Sequence, residues 1–574
     1  MSKLPSATAD CDCDVLIVGA GPVGLTLAMD LASRGVSTRV VEARPATAPA
    51  HPKCNTTSAR SMEIFRRLGV AAEVRRTGLP ADHPCDVAYA TRFLGHELGR
   101  FAFPAWSRRF TDGEAALDGS WPTPEPPHRI SQLYLEPVLR RHATGVLSVG
   151  IDFDTELVAL TDQGTGVDAV LRHAGTGEER RLRARFVVGC DGARSAVRRS
   201  IGVKLRGDDN LSRTRSVYLR SRELKARQSR APAWMTWIVN PQRRGNVIAL
   251  DGEELWLCHC TLRRDEAFDA ADTRTLVEQV IGASVDFEPI AAEDWTGRRL
   301  VADRYRVGNV FLAGDAAHLW IPYGGFGMNA GIEDAVSLGW MLAAVVRGWG
   351  ADALLDAYES ERRPVGEQVS RAAQRLFADQ RDVKLPPALE AEGPEGARAR
   401  QEYGTALLAT DVAQFNPVGL NFGIFYQGSP VIAYDASPPP AFEIDRYTPT
   451  TTPGCRAPQV QLRGGTWLHD RLGPAFTLVT RGRPAAAVAF RAAADRCGLP
   501  LSVLDIGDEP RAVALYDQPL VLVRPDQRVA WRGEEVPDDI DALLDQVRGV
   551  ARRGLPVAVA DRAITARATT EAGS

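Results

Sequence analysis

The chain of 574 residues carries 69 basic and 72 acidic side chains, a formal net charge of −3, and is 44% apolar and 25% charged. At roughly 150 residues per domain, that length suggests three or four units with cores of ordinary size. The composition excludes a chain disordered throughout, a collagen-like repeat and a coiled coil, and the charge gives no long-range attraction for nucleic acid or an anionic membrane.

The longest apolar run, around 338–346, is too short to span a bilayer, and residues 1–14 are polar and acidic without the apolar core of a secretion signal. A soluble, cytoplasmic protein with no nucleic-acid or membrane partner is expected. The 9 cysteines include two C-x-C pairs, Cys11/Cys13 and Cys258/Cys260, and no CxxC pair. Thiols are expected there, not disulfides or zinc ligands.

Asp14-Val15-Leu16-Ile17-Val18 reads as a buried strand running into Gly19-Ala20-Gly21-Pro22-Val23-Gly24. Residues 25–34 then carry helix periodicity up to a stop at Gly35, and 38–41 make the next strand, ending at Glu42. The glycines serve a tight turn, close approach of backbone to a pyrophosphate, and close helix–strand packing. The helix start adds unpaired N–H groups and a positive dipole end. Glu42 lies at the right distance to accept ribose hydroxyls. A dinucleotide site follows, with NAD and FAD both open at this point.

Two later motifs bear on that choice. Residues 186–189 form a strand running into Asp191-Gly192 and a basic helix start, and 310–313 form another buried strand ending in Gly314-Asp315. After it come Pro322-Tyr323-Gly324-Gly325-Phe326-Gly327-Met328-Asn329-Ala330-Gly331 and a helical stretch over 332–347. An Asp at a strand end can accept ribityl hydroxyls. A glycine-rich helix start lets backbone approach a flat ring and stabilises negative charge on it.

These three motifs, in this order over about 14–363, resemble those of the single-component flavoprotein aromatic hydroxylases, the group containing p-hydroxybenzoate hydroxylase and phenol hydroxylase. In length the chain is similar to the phenol and chlorophenol hydroxylases that carry an added C-terminal domain. The resemblance implies FAD as cofactor and NADPH or NADH as electron donor. It implies that Gly19, Gly21, Gly24 and Glu42 hold the ADP half, with Pro22 in the same loop. Asp191 and Gly192 would lie in a motif linked to both FAD and NADPH. Gly314 and Asp315 would take the ribityl–pyrophosphate region; Gly327, Met328 and Asn329, with Pro322 before them, would take the isoalloxazine. Gln132, in Arg129-Ile130-Ser131-Gln132, resembles a Gln that contacts FAD in relatives. Two positions depart from the family pattern. Lys53 stands where an Arg usually touches the pyrophosphate; it keeps the charge but loses the fork, so Arg44 is expected to share the task. Asn55 stands where some phenol hydroxylases place an acidic residue near the flavin, and an amide cannot act as a base.

The implied fold class is α/β: a Rossmann-like FAD-binding domain interleaved with a β-sheet substrate domain, plus a C-terminal thioredoxin-like domain without a redox pair. Expected spans are 1–205 for the FAD-binding domain, with a substrate-domain insertion near 81–110, then 206–294 for the substrate sheet and 295–380 for the rest of the FAD-binding domain. A helical connector region follows at 381–453, with the stretch around 386–398 read as linker, and the thioredoxin-like domain at 454–574 has a structural or dimer-forming role. A homodimer is expected. Strands are expected at 216–219, 235–239, 246–250 and 255–262, and in the last domain at 475–480, 501–504, 520–523 and 529–532, with helices at 485–497 and 539–549.

For the substrate side, Trp234 and Trp237 read as core or pocket wall. His259, on an expected strand, reads as a buried histidine, and as a base or phenol partner it is a catalytic candidate. Tyr323, beside the flavin loop, is a candidate to touch substrate and to act as the base that Asn55 cannot be. His318 is expected to pack behind the Gly-Asp turn. No HExxH, Ser/His/Asp order or paired-Cys cluster offers metal or nucleophilic chemistry.

The function implied is an NAD(P)H-dependent FAD monooxygenase that hydroxylates a phenolic or polycyclic aromatic ring with O2 through a flavin hydroperoxide, in a site that excludes water. A Baeyer–Villiger or epoxidising oxygenase on the same scaffold is the alternative, and a non-enzymatic flavin-binding redox module a further one. A flavin halogenase is disfavoured, because Trp234-Met235-Thr236-Trp237-Ile238-Val239 has the wrong spacing and no Pro for the Trp-x-Trp-x-Ile-Pro element.

Overall fold

A computed structural model describes residues 11–49 and 51–550. The stretches 1–10 and 551–574, which include the end of the expected C-terminal domain, lie outside the described residues.

Cys13–Val18 is the middle of a parallel array within an eight-stranded sheet. On one side it pairs with Thr38–Val41, which pairs in turn with Gly150–Asp152; on the other it pairs with Glu179–Gly189, beyond which lies Val310–Leu312. Strands covered on both faces need continuous apolar runs, and Val15, Leu16, Ile17, Val187 and Val188 are all fully buried. The register aligns the strand ends. Val18 stands opposite Val41 and Gly189, and Gly189 opposite Leu312. The loops that follow these strands, 19–21, 190–195 and 313–317, therefore emerge side by side, where open α/β sheets bind ligands.

A second eight-stranded sheet has Leu205–Arg220, Leu255–Thr261, Arg244–Ala249 and Met235–Val239 at its middle. Val87–Ala90 and Glu97–Phe101 extend one edge, and Glu288–Ala302 with His318–Trp320 extends the other. The first of these strands runs far beyond the expected 216–219. Its early half is exposed and is held by ladder bonds to Glu288–Ala302, so apolar alternation gives no sign of it. Glu288–Ala302 likewise crosses the expected boundary at 294.

Pairing order also defines the last unit. Phe476–Thr480 pairs in parallel with Leu501–Asp505 and antiparallel with Leu520–Val523, which pairs antiparallel with Val529–Gly533. With the helices Pro484–Cys497 and Ile540–Val547, this is the thioredoxin-like arrangement. Two helices exceed their sequence signals. The one expected at 332–347 begins at Phe326, because Gly324 and Gly325, at φ 72° and 67°, make a left-handed turn into it. Part of the expected linker at 386–398 belongs to the helix Gly393–Phe415, whose Pro394 sits in the first turn where its missing N–H costs nothing. No helix of the described residues is long and apolar enough to cross a membrane.

Buried charge keys the C-terminal unit to the rest. Arg524 bonds both oxygens of Glu361 at 2.6 and 2.8 Å and also pairs with Asp526. Arg456 reaches Glu63 at 2.6 Å, and Arg60 donates to Gln527 and to the Asp526 carbonyl. A buried pair stabilises little against apolar packing, but removing one partner strands the other charge. Arg524→Met is therefore expected to lower stability by about 3–5 kcal/mol, read from the denaturant midpoint. Arg172→Met, which breaks a solvated pair with Glu156, is expected to leave the midpoint unchanged. Equal midpoints for the two variants would contradict the keying role.

Candidate active site

Residues of both large sheets line one cleft of about 530 Å³. Of the sequence candidates, Gly21, Pro22, Arg44, Lys53, Asn55, Gln132, Gly192, Asp315, Pro322, Gly327 and Met328 line it from loops and helix starts, as do Trp237 and His259 from strands of the second sheet and Tyr323 from the turn before the helix Phe326–Val346. Gly19, Gly24, Glu42, Asp191, Gly314 and Asn329 are not among its lining residues.

The first loop shows why. A Cβ on Gly24 would lie 2.0 Å from the Gly19 carbonyl oxygen, so glycine there lets the helix Pro22–Ser33 seat on its strand. Gly21, by contrast, meets nothing within 4 Å; its bare side is cleft wall. Glu42 accepts the Ala20 N–H at 2.8 Å and the Arg44 backbone and side-chain N–H groups at 3.1 Å. Arg44 also donates to Glu136 at 2.9 Å, and Gln132 donates to the other oxygen of Glu136 at 3.2 Å. This polar chain fixes one wall.

Asp191 caps the short helix Ala196–Ser200, accepting N–H bonds from Ala196 and Val197 at 2.6 and 3.2 Å. Burial pushes its carboxyl above the usual range against the pull of those bonds. The neighbouring Gly314–Asp315 turn is anchored from behind. Asp334, 1% exposed, accepts from the Gly314 N–H at 3.1 Å, from His318 Nε2 at 2.8 Å and from Arg362 Nε at 2.7 Å. Burial alone would raise its carboxyl, but Arg362 and His318 outweigh it and hold the group at about 2. His318 stacks on Trp320 at 4.3 Å behind the turn. Asp315 itself opens to the cleft. Its depth among protein atoms pushes the carboxyl up, with His318 and Lys53 pulling against that.

Three further candidates differ in how far protein partners occupy them. Asn329 accepts from the Ser58 N–H and the Ser61 hydroxyl, each at 2.8 Å, and donates to the Thr56 and Gly325 carbonyls. Its amide is spent tying the 56–61 segment to the helix start, not turned toward the cleft. Lys53 pairs with Glu293 of the opposite sheet at 3.5 Å. Asn55 makes one long contact to the Pro52 carbonyl at 3.4 Å and leaves its Oδ1 buried and unpaired.

On the facing sheet, His259 Nδ1 lies 2.6 Å from Ser216 Oγ, which accepts the Trp295 indole N–H at 2.6 Å. Burial pushes the imidazole down to about 4, so it is neutral near pH 7. The Tyr323 hydroxyl donates to Gln380 at 2.6 Å; Gln380 donates to Asp411 at 2.9 Å, which also accepts from Tyr89 at 2.6 Å. Burial raises the Tyr323 phenol above its ordinary value. The sequence reading missed Arg129, whose guanidinium lies 4.5 Å over Trp234 and donates to Thr56 at 2.6 Å. It also missed Ser216, Asn246, Trp295, Gln380 and Asp411. Each matters only through partners on other strands or helices, which no local pattern announces.

A dinucleotide bearing a flat ring fits this lining. The bare face of Gly21 and the starts of two helices, Pro22–Ser33 and Phe326–Val346, offer N–H groups, and Asn55 Oδ1 and Trp320 Nε1 are buried polar atoms in the wall that lack a partner among the described residues.

The comparisons agree with this geometry. The family described as "FAD binding domain" matches residues 12–373, and that described as "Aromatic-ring hydroxylase, C-terminal" matches 450–551. The chain is 34% identical, over 93% of its length and 90% of the relative's, to the FAD-dependent monooxygenase apdD of Emericella nidulans. It is 33% identical, over 96% and 100%, to 4-methyl-5-nitrocatechol 5-monooxygenase of a Burkholderia species. RebC soaked with chromopyrrolic acid, with 7-carboxy-K252c bound, superposes with a TM-score of 0.87 at 35% identity, covering 95% of this chain and 100% of that one. A ternary complex of aklavinone-11 hydroxylase with FAD and aklavinone gives 0.79 at 29% identity, covering 94% and 99%.

Asp315→Ala removes an acceptor and no core volume. FAD is expected to bind about ten- to a hundredfold more weakly, the loss of roughly 1–3 kcal/mol of hydrogen bonding. Flavin titration of the stripped protein measures this, with the melting temperature of the flavin-free form unchanged. An unaltered dissociation constant would remove Asp315 from the site.

Proposed function

The chain belongs to the FAD-dependent aromatic-ring hydroxylases, and from that premise we propose how its own side chains divide the work. It is a flavoprotein monooxygenase acting on a phenolic or polycyclic aromatic ring with NAD(P)H and O2. FAD, when bound, supplies acceptance of reducing equivalents from the nicotinamide and activation of O2. Gly21, Glu42, Arg44 and Gln132 hold the ADP half. Gly192 and Asp315 receive the ribityl–pyrophosphate region, and Gly327 and Met328, at the start of the long helix, meet the flat ring. Lys53 neutralises phosphate charge from the rim, and Asn329 acts indirectly by fixing the segment beside the ring.

One observation carries this reading: a single cleft sets the glycine loop, the Asp315 turn and the helix start of one sheet against the aromatic and polar face of the other. The substrate ring lies against Trp237 and Tyr323, whose own rings are 5.3 Å apart, with Phe377 packed on Tyr323 at 5.1 Å. The covering sheet excludes water from the reacting pair, which favours oxygen transfer over release of H2O2. A reducing, cytoplasmic setting is supported by Cys258 and Cys260, two residues apart on one strand, whose sulfurs meet at 3.6 Å as hydrogen-bonded thiols and not as a disulfide.

Purified holoenzyme incubated with NADPH or NADH and a panel of phenols and polycyclic hydroxyarenes is expected to oxidise the nicotinamide faster with one of them. The product gains one atom from isotopically labelled O2 as a ring hydroxyl. A lactone product would favour Baeyer–Villiger chemistry, and oxidation unaffected by every aromatic would overturn the substrate assignment. Tyr323→Phe is expected to keep flavin reduction while product per NAD(P)H falls about fivefold, the worth of one hydrogen bond of roughly 1 kcal/mol. His259→Gln is expected to leave the shape of the pH profile between pH 5 and 8 intact, because a group held at about 4 does not change charge in that window. A limb lost with His259 would show that it titrates there.

A further inference from the structure

In the second sheet, register places four residues with polar side-chain atoms in one row. Trp237 stands opposite Asn246, Asn246 opposite His259, and His259 opposite Ser216. Directly paired residues point to the same face, and Trp237, Asn246 and His259 all line the cleft. Trp237 Nε1 and Asn246 Oδ1 are buried with no partner among the described residues, and Asn246 is only 8% exposed. His259 spends Nδ1 on Ser216 and makes no hydrogen bond through Nε2 among the described residues. Buried polar atoms are rarely left unpaired, so this row is built to meet a ligand's polar groups.

The layer behind the row fixes which groups donate. Ser216 Oγ accepts the Trp295 N–H, and among the described residues its other hydrogen-bond partner, the one able to accept its single hydrogen, is His259 Nδ1. A hydroxyl donating to Nδ1 uses that nitrogen's lone pair, which leaves the ring proton on Nε2. An indole N–H can only donate. Tyr323 is set the other way: its hydroxyl is held by Gln380, whose amide is fixed by Asp411, so the phenol oxygen keeps its lone pairs. The two donors sit two strands apart, about 10 Å between backbones, wider than the substituents of a single benzene ring.

Resting on the hydroxylase reading above, we infer that this row reads the substrate with fixed polarity. His259 Nε2–H and Trp237 Nε1–H donate to keto or phenolate oxygens of a multi-ring aromatic, Tyr323 accepts from one of its hydroxyls, and Ser216 with Trp295 are positioning residues that hold the His259 tautomer. His259 is thereby a donor to substrate and not the base that its residue type suggests.

Two arms test this on the FAD-loaded full chain. In the first, nitrogen NMR of isotope-labelled histidine, assigned with His259→Gln, is expected to show His259 as the Nε2–H tautomer. Ser216→Ala should move protonation toward Nδ1, and Ser216→Thr, which keeps the hydroxyl, should restore Nε2–H. An Nδ1–H tautomer in the wild type, or one unmoved by Ser216→Ala, overturns the positioning role. In the second, a dihydroxyanthraquinone and the dihydroxyanthracene that lacks its keto oxygens are titrated against the flavin spectrum. The wild type is expected to prefer the quinone. His259→Gln, Trp237→Phe and Ser216→Ala should each narrow that preference about fivefold, one hydrogen bond's worth. A preference unchanged in all three variants, or a wild type that binds neither compound, overturns the inference. Failure of the hydroxylase reading is a separate result, seen as no aromatic-stimulated NAD(P)H oxidation by the wild type, and the tautomer measurement needs no turnover.

Discussion

A single buried carboxylate holds the cleft in shape. Asp334 sits within the helix Phe326–Val346 and takes bonds from the Gly314 N–H, His318 and Arg362 at once. It thus locks three things that must agree: the end of the Val310–Leu312 strand, the Asp315 turn that follows it, and the helix whose glycine-rich start faces the cleft. Arg362 extends the lock to its own helix, Asp356–Asp382, and also donates to the Ala330 carbonyl of Phe326–Val346. Its neighbour Glu361 binds Arg524 of the C-terminal unit. Two adjacent residues therefore join the cleft anchor to the thioredoxin-like sheet. A second buried pair, Arg456 with Glu63, joins that unit to the helix Ala59–Arg67.

The arrangement costs stability before it gives any. Charges taken this far from water are repaid only where each lone pair and N–H is met, and substitution of either partner leaves the other unpaired. What such a network supplies is one geometry. A loosely packed apolar contact would hold the Asp315 turn, but not at one distance from the helix start. A site that must align a flat ring with a second ring across a dry gap depends on that alignment.

Legibility in the sequence followed the range of the forces involved. The glycine loop at 19–24 was readable because its constraints are steric and local: a Cβ on Gly24 would collide with Gly19. The Asp315 turn was readable for a similar reason, as an acid at the end of an apolar strand. The substrate row was not. His259 and Trp237 stood out as residue types, but Asn246 and Ser216 join them only through the pairing of four strands, and register has no one-dimensional signature in three short, nearly all-buried strands and a long, largely exposed one. Asn329 shows the converse. Its motif position was legible, while the commitment of its amide to Thr56, Ser58 and Ser61 depends on a segment some 270 residues earlier in the chain. The long exposed half of Leu205–Arg220 was invisible because backbone pairing, not burial, holds it.

The two walls of the cleft divide the chemistry by origin. One is assembled from the ends of parallel strands and offers backbone N–H groups; the other is a sheet face offering side chains whose proton positions are set from behind. The most direct test of this division is a structure of the FAD-loaded protein with an aromatic such as a dihydroxyanthraquinone bound. The flavin ring should lie at Gly327 and Met328, with the aromatic between it and the row Trp237, Asn246 and His259. An aromatic seated instead in the small neighbouring cavity beside Trp121 and Leu420, or a flavin ring turned away from the Phe326–Val346 helix start, would contradict it.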